Sequence, residues 1–561
     1  MSFLLQAQGP LPAFDRTRGW GVVTEAVRLA DPLLQVPETG NGFVPLWWYA
    51  GQELSDTVGF ADRVQAVPAE GVRGEDLVGR TVPLWFRCEV PREGAYRVGA
   101  TLCGVDEAQE VLVFVGRRRL LWRGHLAAGE RRAVAGVCDA FPIVPRGQTD
   151  PAPCTGVDLT VVGAALCAVT VCEASEVHRV WVMGDSTVTD QSAEVPYAPG
   201  TSYAGWGQML PTCLPTDFCV TNHAHSGLTT ETFETEGHWA IVQPRLRQGD
   251  IVLMQFGHND QKLAHLQARG GYTDRLRAYI AAVQKAWALP VLVTPLARNS
   301  WAGPDTYNDL LKDFADAVIE LGAELSVPVI DLHGFAMQGI VDEGLEGSKR
   351  WFFPGDYTHT NDFGALRFAR FVAEELCRLM PCAAPEVAPW EPYGPHVCAE
   401  PPEDCDLTPP EGTAPAFAGY DTDRPDDVLT RVEALGLSIA ALRYFPINVY
   451  NDLYADVVGH ETWAGTVQCA AQNGLIPAAW VENGCLHPDA PVTCAEFLAV
   501  LMPGYAGRHA PEGCAEVTAD VPEYARQACG EAVFAGLVAP EALCEPLARH
   551  DAAEICRKLV F

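Results

Sequence analysis

Two hydrophobic periods alternate between residues 178 and 380, and few folds are open to a chain that does this. The segments VHRVWVMGDS, DIVLMQFGHND, LPVLVTPLAR and VPVIDLHG are each apolar over the length of a strand and then run into a polar turn. Helical patterns lie between them, as in YTDRLRAYIAAVQKAW and YNDLLKDFADAVIELGAELS. Strands without polar alternation must be covered on both faces, and strands separated by helices are joined by crossovers. Residues 176–382 therefore predict an α/β/α domain around a parallel sheet. In such sheets the chemistry belongs at the C-terminal ends of the strands.

The flanks read differently. Residues 1–175 hold short apolar or alternating runs, among them TVPLWFRCEV, AYRVGATLCG, EVLVFVG and LTVVGAALCAVTVCEA, punctuated by Gly, Pro and Asp. That pattern predicts an all-β sandwich. Residues 383–425 are too rich in Pro and acid to pack and read as a linker. Residues 426–561 echo themselves: LTRVEALGLSI, VTCAEFLAVLM and LARHDAAEICR recur at spacings of about 55 to 63 residues. Repeats of that period predict small helical units stacked together.

Charge and composition exclude several partners. The formal net charge is −33, from 72 acidic against 39 basic residues. Nucleic acid and anionic membranes need a concentrated positive face and are not expected to bind. No run of eighteen apolar residues is present, so no membrane span is expected. The first twenty residues do not read as a secretory leader, which predicts a cytoplasmic location. The 19 cysteines lack CxxC pairs or zinc-ligand spacing, so neither a metal nor another cofactor is expected, and buried reduced thiols are.

Four motifs carry the chemistry. Ser186, in MGDST, follows an apolar strand at the point where a helix could begin and backbone N–H groups can meet an oxyanion. Gly227, in NHAHSG, lets the backbone approach a ligand closely. Asn259, in FGHND, can donate to an oxyanion without carrying charge. Its neighbours differ in kind: Asp260 reads as a capping acid, while His258, like Asp185 beside the serine, is a candidate for substrate contact. In GDYTHTNDFGA, Asp356 and His359 are three residues apart, so one turn aims both side chains the same way. A carboxylate there can fix the imidazole tautomer for proton transfer from a serine.

Ser186, Gly227, Asn259 and His359, in this order, resemble the four named positions of the SGNH/GDSL hydrolases. The strings VWVMGDST, GDIVLMQFGHNDQK, VTPLAR, VPVIDLH and DYTHTNDFGA are similar to the rhamnogalacturonan acetylesterase branch of that family. The resemblance implies a three-layer α/β/α fold and a Ser186–His359–Asp356 triad. It also implies an oxyanion hole of the Ser186 and Gly227 N–H groups with the Asn259 amide, and a carbohydrate substrate bearing O-acetyl groups, pectic ones in particular. The region before it resembles a galactose-binding-like sandwich, in which Trp47, Trp48 and Tyr49 could stack on sugar. Trp463, Gly474-Leu475-Ile476, His487-Pro488-Asp489 and Thr493 to Glu496 resemble an S-layer homology repeat. That resemblance implies a cell-wall polymer as a further partner and a location at the cell surface. A structural or dimerising role is its alternative, because the Arg431 position becomes Cys494 in the middle copy. Two other readings of the whole stay open: a lipase or thioesterase of the same fold, and a carbohydrate- or wall-binding protein with a vestigial hydrolase domain.

Overall fold

The computed structural model describes residues 4–23, 84–191, 203–387 and 420–559, apart from short breaks within these ranges. Trp47, Trp48, Tyr49 and most of the predicted linker lie outside the described residues.

The N-terminal region forms two antiparallel sheets. One has the order β1 (Leu4–Gln8), β9 (Ala165–Glu173), β4 (Gly94–Cys103), β7 (Arg131–Ala140). The other runs β2 (Trp20–Val22), β3 (Leu84–Glu89), β8 (Gly156–Val162), β5 (Gln109–Val115), β6 (Arg119–Leu126). Inward residues such as Val98, Ala100 and Leu102 of β4 and Val111, Val113 and Val115 of β5 share one buried core. The alternate positions of the second sheet, Leu112, Phe114 and Leu120, belong instead to the core of the following region. This sheet is therefore apolar on both faces, and the sandwich docks through its outer one.

Residues 178–380 form a five-stranded parallel sheet in the order β11 (Phe218–Asn222), β10 (His178–Gly184), β12 (Ile251–Gln255), β13 (Leu289–Val293), β16 (Val329–Ile330). A small hairpin of β14 (Trp301–Gly303) and β15 (Thr306–Tyr307) follows β13. The unbroken apolar strands have the expected cause. Val180, Val182, Leu253 and Val291 pack on one side, with α1 (Trp206–Cys213), α4 (Leu332–Ser348) and α5 (Asp362–Leu379). Trp181, Met183, Val252 and Met254 pack on the other, with α2 (Thr273–Lys285) and α3 (Lys312–Leu325). At the bottom of the sheet Asp250 accepts from Arg179 Nε at 2.8 Å, from Trp181 Nε1 at 2.9 Å and from the Arg247 N–H at 2.9 Å.

The C-terminal region is helical. Among the described residues its α-helices are α6 (Arg431–Ala441), α7 (Ala464–Gln472), α8 (Cys494–Ala506), α9 (Arg526–Phe534) and α10 (Arg549–Leu559). The three echoing segments meet in a closed ring of backbone hydrogen bonds. The Leu429 N–H donates to Leu547, Leu547 to Val492, and Val492 back to Leu429, at 2.8, 3.1 and 2.9 Å. Thr430 with Glu433 and Thr493 with Glu496 cap α6 and α8 reciprocally. Ala548 has no hydroxyl for this, and at the third position Arg549 pairs with Glu433 across the ring. Arg431 lies over the Trp480 ring and donates to the carbonyls of Trp480 and Leu486, so its guanidinium is committed within the module.

Replacing Asp250 by Ala strands the buried Arg179 guanidinium at the foot of the sheet. Unfolding in urea should show a loss of about 3–5 kcal/mol. An unchanged midpoint would show that the pair contributes nothing.

Candidate active site

β10 ends at Gly184, where a Cβ would stand 2.6 Å from Val188 and 2.7 Å from the Gln255 carbonyl, so only glycine lets the chain turn this tightly. The turn lifts Ser186 to the C-terminal edge of the sheet, 8% exposed. Asp185 faces inward beneath it, fully buried, and its Oδ1 accepts from the Thr187 N–H and hydroxyl at 2.9 and 2.8 Å. Asp185, a sequence candidate for substrate contact, is placed with its carboxylate organising the turn, and the described residues that line the pocket do not include it.

His359 arrives from the far end of the sequence. Phe352 and Thr360 form one β-bridge and Tyr203 and Asn361 another, which hold the chain on either side of it. Asn361 then caps α5 by accepting the Gly364 N–H at 3.0 Å. His359 Nε2 lies 2.8 Å from Ser186 Oγ, and its Nδ1 lies 2.8 Å from Asp356 Oδ2. Asp356 Oδ1 accepts the N–H groups of Thr358 and His359 at 2.7 and 2.8 Å, so a tight turn, not a helix, aims the pair. Burial pushes the Asp356 carboxyl up, but the His359 ring and these N–H donors outweigh it and hold the group below its ordinary value.

Gly227 and Asn259 face Ser186 across the same opening. Gly227 has φ of 87°, and a Cβ there would meet nothing within 4 Å, so the left-handed backbone, not crowding, demands glycine. Asn259 Nδ2 donates to the Leu228 carbonyl at 3.0 Å, which ties its amide to the Gly227 loop and leaves one amide hydrogen for the pocket. Asp260 lies behind them, accepting from the Thr230 N–H and hydroxyl and the Gly257 N–H. Burial pushes its carboxyl up to about 6 despite these donors.

The cavity measures about 440 Å³, and among the described residues no aliphatic side chain lines it. His258 does line it, only 2% exposed, with Nδ1 3.3 Å from Asp185 Oδ2. Burial lowers the imidazole below its ordinary value of 6.5, Asp185 works against this, and Arg298 adds to the lowering.

Six lining residues had no individual role in the sequence reading: Gln191, Tyr203, Ser226, Lys262, Arg298 and Thr358. Arg298 follows β13, and its position at a strand end was the available signal. It is buried, donates to Thr358 Oγ1 at 2.9 Å and to the His258 carbonyl at 3.2 Å, and burial pushes it down to about 10. Lys262 stands at the rim, 3.0 Å from Asn259 Oδ1. Desolvation by the walls and then the charge of Arg298 hold its ammonium below the ordinary range. Residues 192–202, which follow Gln191, lie outside the described residues.

Residues 182–366 match the profile of the GDSL-like lipase/acylhydrolase family. The chain is 34% identical over 214 residues to the rhamnogalacturonan acetylesterase RhgT of Bacillus subtilis, covering 35% of this chain and 89% of that protein. It is 30% identical over 210 residues to a second B. subtilis protein, named "Probable rhamnogalacturonan acetylesterase YesY", covering 36% of this chain and 94% of that one. An uncharacterized esterase of the same organism, YxiM, is 28% identical over 205 residues, covering 36% and 52% respectively.

A neutral buried His258 has a consequence for stability. Below pH 6.5 the unfolded imidazole takes up a proton that the folded one refuses, so the contribution of His258 to stability should fall as pH falls from 7 to 5, opposite in sign to that of Asp260. His258→Gln should lose less over that interval than the parent in urea unfolding. Equal losses would refute the assignment.

Proposed function

The chain belongs to the GDSL-like lipase/acylhydrolase family, and from that premise we propose that it removes O-acetyl groups from an acidic, pectic-type carbohydrate through a Ser186–His359–Asp356 triad. It is a carboxylic ester hydrolase. The observation that carries the proposal is the unbroken relay from Ser186 Oγ through the His359 ring to Asp356, with both links at 2.8 Å, opening into a polar cavity.

In this reading Ser186 Oγ attacks the acetyl carbonyl carbon while His359 Nε2 takes its proton. Asp356 holds the Nδ1–H and stabilises the imidazolium that forms. The Ser186 and Gly227 N–H groups and the Asn259 amide receive the oxyanion. When the tetrahedral species collapses, His359 returns the proton to the departing sugar oxygen, leaving acetyl-Ser186. A water molecule, deprotonated by His359, then attacks the acetyl-enzyme; acetate leaves and Ser186 regains its proton.

The lining favours a sugar over a lipid. A lipase or thioesterase needs an apolar acyl groove, and the cavity's described walls have no aliphatic side chain. Two neighbouring cations, Arg298 and Lys262, line the cavity and complement a substrate that brings negative charge, as the uronate carboxylates of a pectic backbone do. The relatives whose names specify rhamnogalacturonan support the same class.

Acetate release from acetylated pectic fragments and from p-nitrophenyl acetate should fall at least about 10³-fold in Ser186→Ala, and about 10⁴-fold in Asp356→Asn. Release that persists in a folded Ser186→Ala protein would reject the nucleophile. Lys262→Met separates the glycan from the chemistry: KM should rise about tenfold for the acidic fragments and stay level for p-nitrophenyl acetate. A rise for both substrates, or for neither, would reject the acidic-glycan reading.

A further inference from the structure

The loop that follows the nucleophile is held from outside the α/β domain. Arg118 stands in the turn between β5 and β6 of the sandwich, with φ of 70°, a left-handed backbone unusual for a side chain of this size. It is completely buried. Its Nε donates to the Gln191 carbonyl and its Nη2 to the Asp190 carbonyl at 2.9 Å. Gln191 is itself a wall of the cavity. Its side-chain amide donates to the Ser186 carbonyl, its N–H donates to Gln208 Oε1 at 3.1 Å, and its Oε1 lies 3.5 Å from the hydroxyl of Ser226, the residue before Gly227. Two hydrogen bonds therefore connect a guanidinium of the sandwich to the nucleophile's own peptide and, by a third, to the oxyanion loop.

Arg119 reinforces the contact. It donates to the Val220 carbonyl of β11, pairs with Asp139 of β7, and lies 3.6 Å from Asp190 Oδ2. Asp190 Oδ1 in turn accepts from Asn222 Nδ2 at 2.9 Å, and that amide also donates to the Val188 carbonyl at 3.0 Å. The loop 188–191 is thus gripped from the sandwich on one side and from β11 on the other.

We propose that Arg118 is a positioning residue for ester hydrolysis: the N-terminal sandwich, through this guanidinium, sets Gln191 against the Ser186 carbonyl and so fixes the height of the nucleophile relative to its oxyanion donors. The proposal rests on the esterase reading above. Charged donors make the stronger hydrogen bonds, and a buried pair of carbonyls has no water to replace them. Displacing a reacting group by about 1 Å costs on the order of 100-fold in rate. The sandwich is accordingly part of the catalytic apparatus and not only an appended binding module.

The test uses the full chain, with Arg118→Ala, Arg118→Lys and, as a control at the same interface, Arg97→Ala. Arg97 donates to the Thr216 carbonyl at an exposed site far from the loop. On p-nitrophenyl acetate, Arg118→Ala should lose about 10- to 100-fold in kcat with KM changed less than about threefold, while Arg97→Ala keeps the parental kcat. Arg118→Lys should lie between parent and Arg118→Ala. Millimolar guanidinium should restore part of the kcat of Arg118→Ala without raising that of the parent. If Arg118→Ala does not fold, reduced kcat at parental KM in a folded Arg118→Lys carries the proposal. A folded Arg118→Lys with parental kcat overturns it. Parental kcat in folded Arg118→Ala, or a loss of kcat that guanidinium leaves untouched and that tracks the fall in Tm, overturns it as well. A parent protein that releases no acetate and hydrolyses no nitrophenyl ester would instead overturn the esterase reading, so the two failures are distinct.

Discussion

Gly184, the last residue of β10, pairs with Gln255 of β12 on one side, and on the other its carbonyl accepts the His225 N–H at 3.1 Å. That register decides where every group in the cavity stands. It places Ser186, Gly227 and Asn259 a few residues beyond the ends of three adjacent parallel strands, pointing into one opening. Side chains lock it from below: Gln255 Nε2 donates to the Thr187 hydroxyl at 2.7 Å while its Oε1 accepts from Trp206 Nε1 at 2.8 Å. A slip of one residue would turn each strand over and exchange its two buried faces. Because both faces are packed, the slip is forbidden, and the positions of the loops follow.

Charge in the site is arranged in layers. Asp185 and Asp260 lie beneath the cavity floor, each committed to backbone and hydroxyl donors that hold a loop in place. Arg298 and Lys262 stand around the opening. These two carboxylates are thus spent on shape, while the cations line the cavity with hydrogen bonds to Thr358, His258 and Asn259. Only Asp356 among the carboxylates is turned toward the His359 ring, where its charge can act on a proton.

Much of this was legible in the chain. The apolar runs at 180–183, 251–254 and 289–293 gave the parallel sheet because no polar residue interrupts them, and a sheet buried on both faces leaves that mark. Ser186, Gly227, Asn259 and the Asp356/His359 pair could be singled out because each sits in a short polar string straight after an apolar run or before a helix. Arg298 and Lys262 were not: the strand-end position of Arg298 was a signal, but an arginine after a strand and a lysine in a loop look the same whether they face solvent or a cavity. The place of the Asp185 carboxylate was hidden for a similar reason: adjacency to the serine says nothing about which side of the turn it takes. The helical echoes near 429, 492 and 547 were visible, while their closure into a ring of three backbone hydrogen bonds was not.

Local periodicity and turn chemistry depend on neighbours in the chain, so the amino-acid order alone determined the layered α/β domain, the β-rich region before it, the helices after it and the residues proposed to carry the chemistry. The relay from Ser186 to Asp356 spans 170 positions, and the grip of Arg118 on Gln191 joins the sandwich to the α/β domain. Contacts of that range depend on how sheets stack and which faces meet. No local pattern encodes them, and only the tertiary structure decided that the sandwich would close against the loop behind the nucleophile.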